Sequence, residues 1–124
     1  MSTLKALRNE TYVNLETYRK NGKAVPTPVW FVEQDGVLYV RTVANSGKVK
    51  RVRNNPRVRV AACDVRGKLK GDWLPAQAVI ASSDEAERAN ALLNQKYGLL
   101  KRLFDLFGAL QRSQYTVIKI YPEM

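Results

Sequence analysis

A chain of 124 residues carries 21 Lys+Arg against 11 Asp+Glu, a formal net charge of +10, with one Cys and no His. Its length sits inside the roughly 50–250 residue range of single domains, so residues 1–124 are expected to form one domain with its own core. Without an imidazole, the usual Ser-His-Asp and Cys-His nucleophile systems and a His/Cys zinc shell are excluded, and a single sulfur forms no internal disulfide. The first twenty residues contain no apolar run of signal-peptide length, and no stretch approaches the ~18–20 apolar residues of a membrane span. The expectation is a soluble, cytoplasmic protein with no membrane partner.

In chain order, residues 2–9 predict a short helix with Leu4 and Leu7 on one side. Tyr12–Tyr18 alternates as a strand, with Val13, Leu15 and Thr17 on one face. Asn21-Gly22 signals a hairpin. Pro26 and Pro28 flank Thr27 and predict an edge position, after which Val29–Glu33 is expected to continue as strand. Asp35-Gly36 tolerates positive φ and predicts a second tight turn into a strand over Val37–Val43. Ser46 is a plausible N-cap for a short helix that shares Val49 and Val52 on one face and cannot pass Pro56. Val58–Asp64 reads as strand and Val65–Lys68 as turn. Leu69–Leu74 is expected to pair back, and Ala76–Ser82 to extend it past a bend at Pro75. Ser82 and Glu85 fit a capping box for a helix of about two dozen residues. Leu92, Leu93, Tyr97, Leu100, Leu103, Phe104 and Phe107 keep its period, with Gly98 and Gly108 as breaks. Tyr115–Tyr121 is the last strand. Six or seven short strands with hairpin turns and one long helix predict a mainly β protein, an antiparallel barrel.

The charge is local. Residues 41–70 hold ten basic residues against Asp64 alone, so +9 of the +10 lies there. Such a field implies an anionic partner at one face, or simply a solvated basic surface. Within it, a strand ends at Val43, a small polar loop follows, and a basic helix begins. A helix N-terminus presents unpaired N–H groups and a positive dipole end, so cations there are unfavourable unless an anion is bound. Ser46, Lys48, Lys50 and Arg51 are therefore phosphate-binding candidates. Lys48 and Arg51, three residues apart, can reach one group.

Several runs carry a family resemblance. Tyr12–Gly22 followed by Thr27-Pro28-Val29-Trp30-Phe31 resembles the opening of the pyridoxamine 5′-phosphate oxidase-like split barrels. Ser46-Gly47-Lys48-Val49-Lys50-Arg51 with Asn55-Pro56-Arg57-Val58 is similar to the actinobacterial and archaeal branch that uses the deazaflavin coenzyme F-420. Cys63-Asp64-Val65-Arg66-Gly67 and Lys96-Tyr97-Gly98 resemble a subgroup of that branch. The similarity runs from about Glu10 to Tyr121. It implies a flavin- or deazaflavin-binding split β-barrel, a homodimer with two cofactor sites at its interface, and hydride transfer to or from a small organic substrate. It also implies that Ser46, Lys48 and Arg51 hold the cofactor phosphate and that Thr42 lies near the polar edge of the ring. Thr27, Pro28, Val29 and Trp30 would line the ring plane, with Lys50 a second phosphate or tail contact. The longer oxidases carry a C-terminal substrate-binding segment that this sequence does not match.

Hydride chemistry suits a chain with no His, because the cofactor carries the reactive atoms. F-420, with a phosphodiester and an oligoglutamate tail, is the first choice of cofactor and FMN the second; the surplus from Arg53 to Lys70 is a candidate for the tail. A non-catalytic cofactor carrier is the reading from a different class. Nucleic-acid binding is a third, and it is disfavoured because residues 43–70 contain no Phe, Tyr or Trp to stack bases. Plainer readings stand beside these. Cys63 is a small buried hydrophobe, Trp30 a core aromatic, and Tyr97, Phe104 and Phe107 core or dimer contacts. Asp84, Glu85 and Glu87 are helix-start acids. Arg57 and Arg59 are the outer face of a strand. The stretch 99–111 is a packing helix before it is a membrane-surface one.

Overall fold

A computed structural model describes residues 3–109 and 115–123, with the side chains of residues 99–109 outside the described set. The expectations on Leu100, Leu103, Phe104, Phe107 and the amphipathic stretch 99–111 therefore lie outside the described residues. A 3-10 helix over Thr3–Leu7 leads into β1 (Tyr12–Tyr18), β2 (Ala24–Val29), β3 (Val32–Gln34), β4 (Val37–Val43), α1 (Gly47–Asn54), β5 (Arg57–Cys63), β6 (Leu74–Ile80), α2 (Ser83–Ala109) and β7 (Tyr115–Pro122).

The seven strands form one antiparallel sheet in the order β2-β1-β5-β6-β7-β4-β3. β2 and β3 are consecutive in the chain yet occupy opposite edges. Seven strands at ~4.8 Å spacing would hold the edges about 29 Å apart if flat, whereas the three residue steps from Val29 to Val32 reach at most about 11 Å. The sheet must therefore curl until its edges nearly meet, which makes a barrel split at the Trp30-Phe31 seam. This corrects the expectation of one strand over Val29–Glu33. Phe31 is fully buried, but its backbone is satisfied from α2: its N–H donates to Tyr97 Oη (3.0 Å), and its carbonyl accepts from Lys96 Nζ (3.1 Å). With partners on a helix, the chain leaves one ladder and joins another without orphaned groups.

Both hairpin signals correspond to turns. β1 and β2 pair antiparallel around Gly22 (φ 86°), and Asp35 and Gly36 both take positive φ between β3 and β4. The inner face carries Val13, Leu15, Leu38, Val40, Val58, Val60, Ile118 and Ile120, and α1 joins this core through Val49 and Val52. Burying each such side chain contributes roughly 1.5–3 kcal/mol. Leu69–Leu74 does not form the expected strand. Only Cys63 bridges Leu69, and β6 starts at Leu74, with Gly71 between them offering no side chain to pack. α2 begins with the expected capping box: Glu85 N donates to Ser82 Oγ (3.2 Å) and Ser82 N to Glu85 Oε1 (3.1 Å). Gly98 (φ 48°, ψ −121°) interrupts it as the sequence suggests.

Candidate functional site

α1 is the element that gathers charge. Ser46 caps it, with its hydroxyl 3.4 Å from the Val49 N–H and 3.4 Å from Thr42 Oγ1 at the end of β4. Its first turn contains no acid. Arg51 sends Nε to the buried Thr17 hydroxyl on β1 (2.6 Å). It folds back over the start of its own helix, so that a Cβ on Gly47 would lie 2.6 Å from Arg51 Nη1. The sequence pattern thus converges on a cationic rim where β1, β4 and α1 meet.

The electrostatics of this rim are one-sided. Burial pushes the Lys48 ammonium below its ordinary range, and the Arg51 charge beside it pushes it further. Arg51 is lowered by burial and by Arg19. Among the described residues no carboxylate pairs with Lys48, Arg51 or Arg19. Three cations, three hydroxyls and a helix N-terminus without a counter-charge are a donor set suited to phosphate. Thr17 and Arg19 are members that the sequence pattern does not reveal. Thr17 reads there only as an inner-face strand residue, and Arg19 lies outside the 41–70 charge cluster.

The remaining candidates are dispersed. Lys50 is exposed, on the side of α1 away from the buried Val49 and Val52. Thr27 and Val29 pair with Leu15 and Val13, and Pro28 pairs with Asn14, so alternation along β2 sends Pro28 to the opposite sheet face. There the buried Asn14 donates through Nδ2 to the Gly67 carbonyl (3.0 Å), while its Oδ1 has no protein partner. Trp30 stacks on Tyr97, with centroids 4.5 Å apart and planes at 10°. Thr42 is buried.

Other members of the basic segment are occupied. Arg59 makes a two-pronged pair with the buried Glu16 (2.7 and 3.1 Å), which also accepts from Tyr18, and its guanidinium lies 4.7 Å over Trp73. Arg59 hydrogen bonding holds the Glu16 carboxyl below its ordinary range, against the opposing effect of burial. Arg57 stands 3.9 Å from Glu123, and both arginines line a groove of about 410 Å³ with Tyr18, Asn55 and Pro75. Cys63 is buried, and burial raises its thiol, so it sits as a packing residue. Glu85, besides capping α2, pairs with Lys119 at 2.6 Å. Among the described residues no cluster of acidic and sulfur side chains could hold a metal, and no helix is long and apolar enough to cross a membrane.

Comparison with known proteins adds a lineage. The family described as pyridoxamine 5′-phosphate oxidase matches residues 3–123. Among solved structures, the chain is similar to a Listeria innocua protein described as a candidate pyridoxamine 5′-phosphate oxidase. The identity is 20% and the TM-score 0.69, over 98% of this chain and 90% of that one. It is similar to the heme storage protein of Vibrio cholerae, at 16% identity and TM-score 0.65 over 94% and 84% of the two chains. A FAD-binding protein of Mesorhizobium loti matches at 18% identity and TM-score 0.65 over 97% and 84%. These identities speak for the fold, the split barrel. No curated protein matches the sequence.

Proposed function

Because the chain belongs to the pyridoxamine 5′-phosphate oxidase family, matched over residues 3–123, we propose that it is an oxidoreductase working with coenzyme F-420 on a small organic substrate. The observation that carries this reading is the uncompensated cationic rim at the start of α1. Lys48, Arg51 and Arg19 are half-buried or crowded together without an acid, a net cost to the protein unless an anion is present. The bound cofactor would supply the hydride chemistry; this chain's residues bind, orient and shield it. In this reading Ser46, Lys48 and Arg51 hold the phosphate, with Thr42 beside the polar ring edge. The segment Thr27–Trp30 runs along the ring, with Pro28 on the sheet face opposite Thr27 and Val29, and Lys50 extends toward an anionic tail. The protein acts as a homodimer with the two sites at the interface.

FMN is the second reading, favoured by the FAD-binding protein among the structural neighbours. The same cradle would serve its phosphate. The test is equilibrium titration of the purified protein with F-420 and with FMN, followed by fluorescence, with oligomeric state measured in parallel. Binding of F-420 in preference to FMN by a dimer is expected. Tight FMN binding without F-420 affinity overturns the first choice. Binding of either cofactor with no turnover of any acceptor supports a carrier.

A further inference from the structure

A second cavity, of about 480 Å³, lies between the N-terminal segment, β3 and α2, lined by Arg8, Glu10, Thr11, Glu33, Lys96 and Tyr97, among others. It shares no residue with the α1 rim, and its chemistry is independent of the cofactor reading. Its two carboxylates are already committed. The Glu33 side chain is fully buried; Oε1 accepts from Arg8 Nε (2.8 Å) and Oε2 from the Gly36 N–H (2.7 Å). Glu10 Oε1 holds Lys70 Nζ at 2.9 Å. Lys96 is different. Its ammonium donates one hydrogen bond, to the Phe31 carbonyl at 3.1 Å, and lies 3.7 Å from the Phe31 ring centroid and 5.3 Å from that of Tyr97. Among the described residues no carboxylate is within ion-pair distance of it. Burial pushes its pKa down to about 8, opposed by the more distant Glu10 and Glu33.

We propose that this cleft is a binding site for a small organic carboxylate, with Lys96 as its counter-ion. The charge balance selects the ligand. Arg8 with Glu33 and Lys70 with Glu10 cancel, so a single positive charge is left, with two ammonium N–H donors available to a carboxylate. A cationic ligand would find both acids already paired. A dianion would keep an uncompensated charge in a half-buried cleft. Val32 and the edge of Tyr97 supply an apolar wall for the organic part. That wall is held in place: the Tyr97 hydroxyl lies 2.9 Å from the Thr11 carbonyl and 2.8 Å from that of Phe31, and Trp30 stacks on its ring.

The test titrates benzoate and its neutral isostere benzamide into the full-length protein, following backbone amide chemical shifts. Saturable benzoate shifts are expected at Thr11, Val32, Glu33 and Tyr97, with benzamide weaker by at least about tenfold, the loss of one charge-assisted contact. Lys96→Met should lose at least about tenfold in benzoate affinity and Lys96→Arg should retain it. The absence of saturable shifts, equal binding of benzamide, or shifts at Ser46–Arg51 instead would each overturn the proposal. The comparison of the two ligands on the unaltered protein decides the matter even if Lys96→Met does not fold.

Discussion

Lys48→Met should make the free protein more stable and, under the proposed function, weaken its binding of F-420 or FMN. Lys48 lies in the first turn of α1, where a cation opposes the helix dipole at a cost of about 0.3–1 kcal/mol. It also faces Arg51 at i,i+3, a like-charge pair costing roughly 0.2–0.5 kcal/mol. No carboxylate among the described residues offsets either term. Methionine keeps the aliphatic stem of the lysine and removes only the charge. A gain of about 1 kcal/mol is expected, a rise in melting temperature of about 4 °C for a domain of this size. Binding should move the other way. Loss of one charge-assisted hydrogen bond, about 1.5–3 kcal/mol, weakens affinity by roughly 10- to 150-fold. Urea denaturation without cofactor and fluorescence titration with F-420 and FMN measure the two sides. A stability loss beyond about 0.5 kcal/mol, or an affinity change below about threefold, would show that Lys48 is a structural cation and refute the reasoning.

Tyr97→Phe removes the hydroxyl that accepts from the fully buried Phe31 N–H. An unsatisfied buried donor costs about 1–3 kcal/mol, so the urea midpoint should fall with the slope unchanged, and a midpoint within error of the unaltered protein would contradict the seam contact. The Glu85 carboxyl, held down to about 2 first by Lys119 and then by the Ser82 backbone, is lowered from its unfolded value of 4.5. Its contribution is fully present above pH 4.5 and is lost as pH falls from there toward 2. Acid unfolding of Glu85→Gln should therefore show a shallower dependence on pH in that window than the unaltered chain, and parallel curves would contradict the assignment.

How much was legible varied with the range of the interaction. The capping box at Ser82 and Glu85, the cap at Ser46 and the two tight turns are local chemistry, set by residues within four positions of one another, and they lie where the pattern puts them. The cationic rim at α1 was half legible. Ser46, Lys48 and Arg51 lie within six consecutive residues, but Thr17 and Arg19 reach them only through β1. Val29–Glu33 misleads because its strand-like pattern carries no sign that the chain changes sheet edge within it.

From the sequence alone came the mainly β class, the tight turns, the location of the charge and the exclusion of His-based chemistry. These follow from periodicity, turn residues and composition. The tertiary structure decided which charges remain available. Arg59, Arg57 and Lys70 look like Lys48 in the sequence, yet folding brings Glu16, Glu123 and Glu10 to the first three and no described acid to Lys48, Arg51 or Lys96. Pairing depends on contacts between distant segments, and only the curled sheet with its split seam brings those segments together.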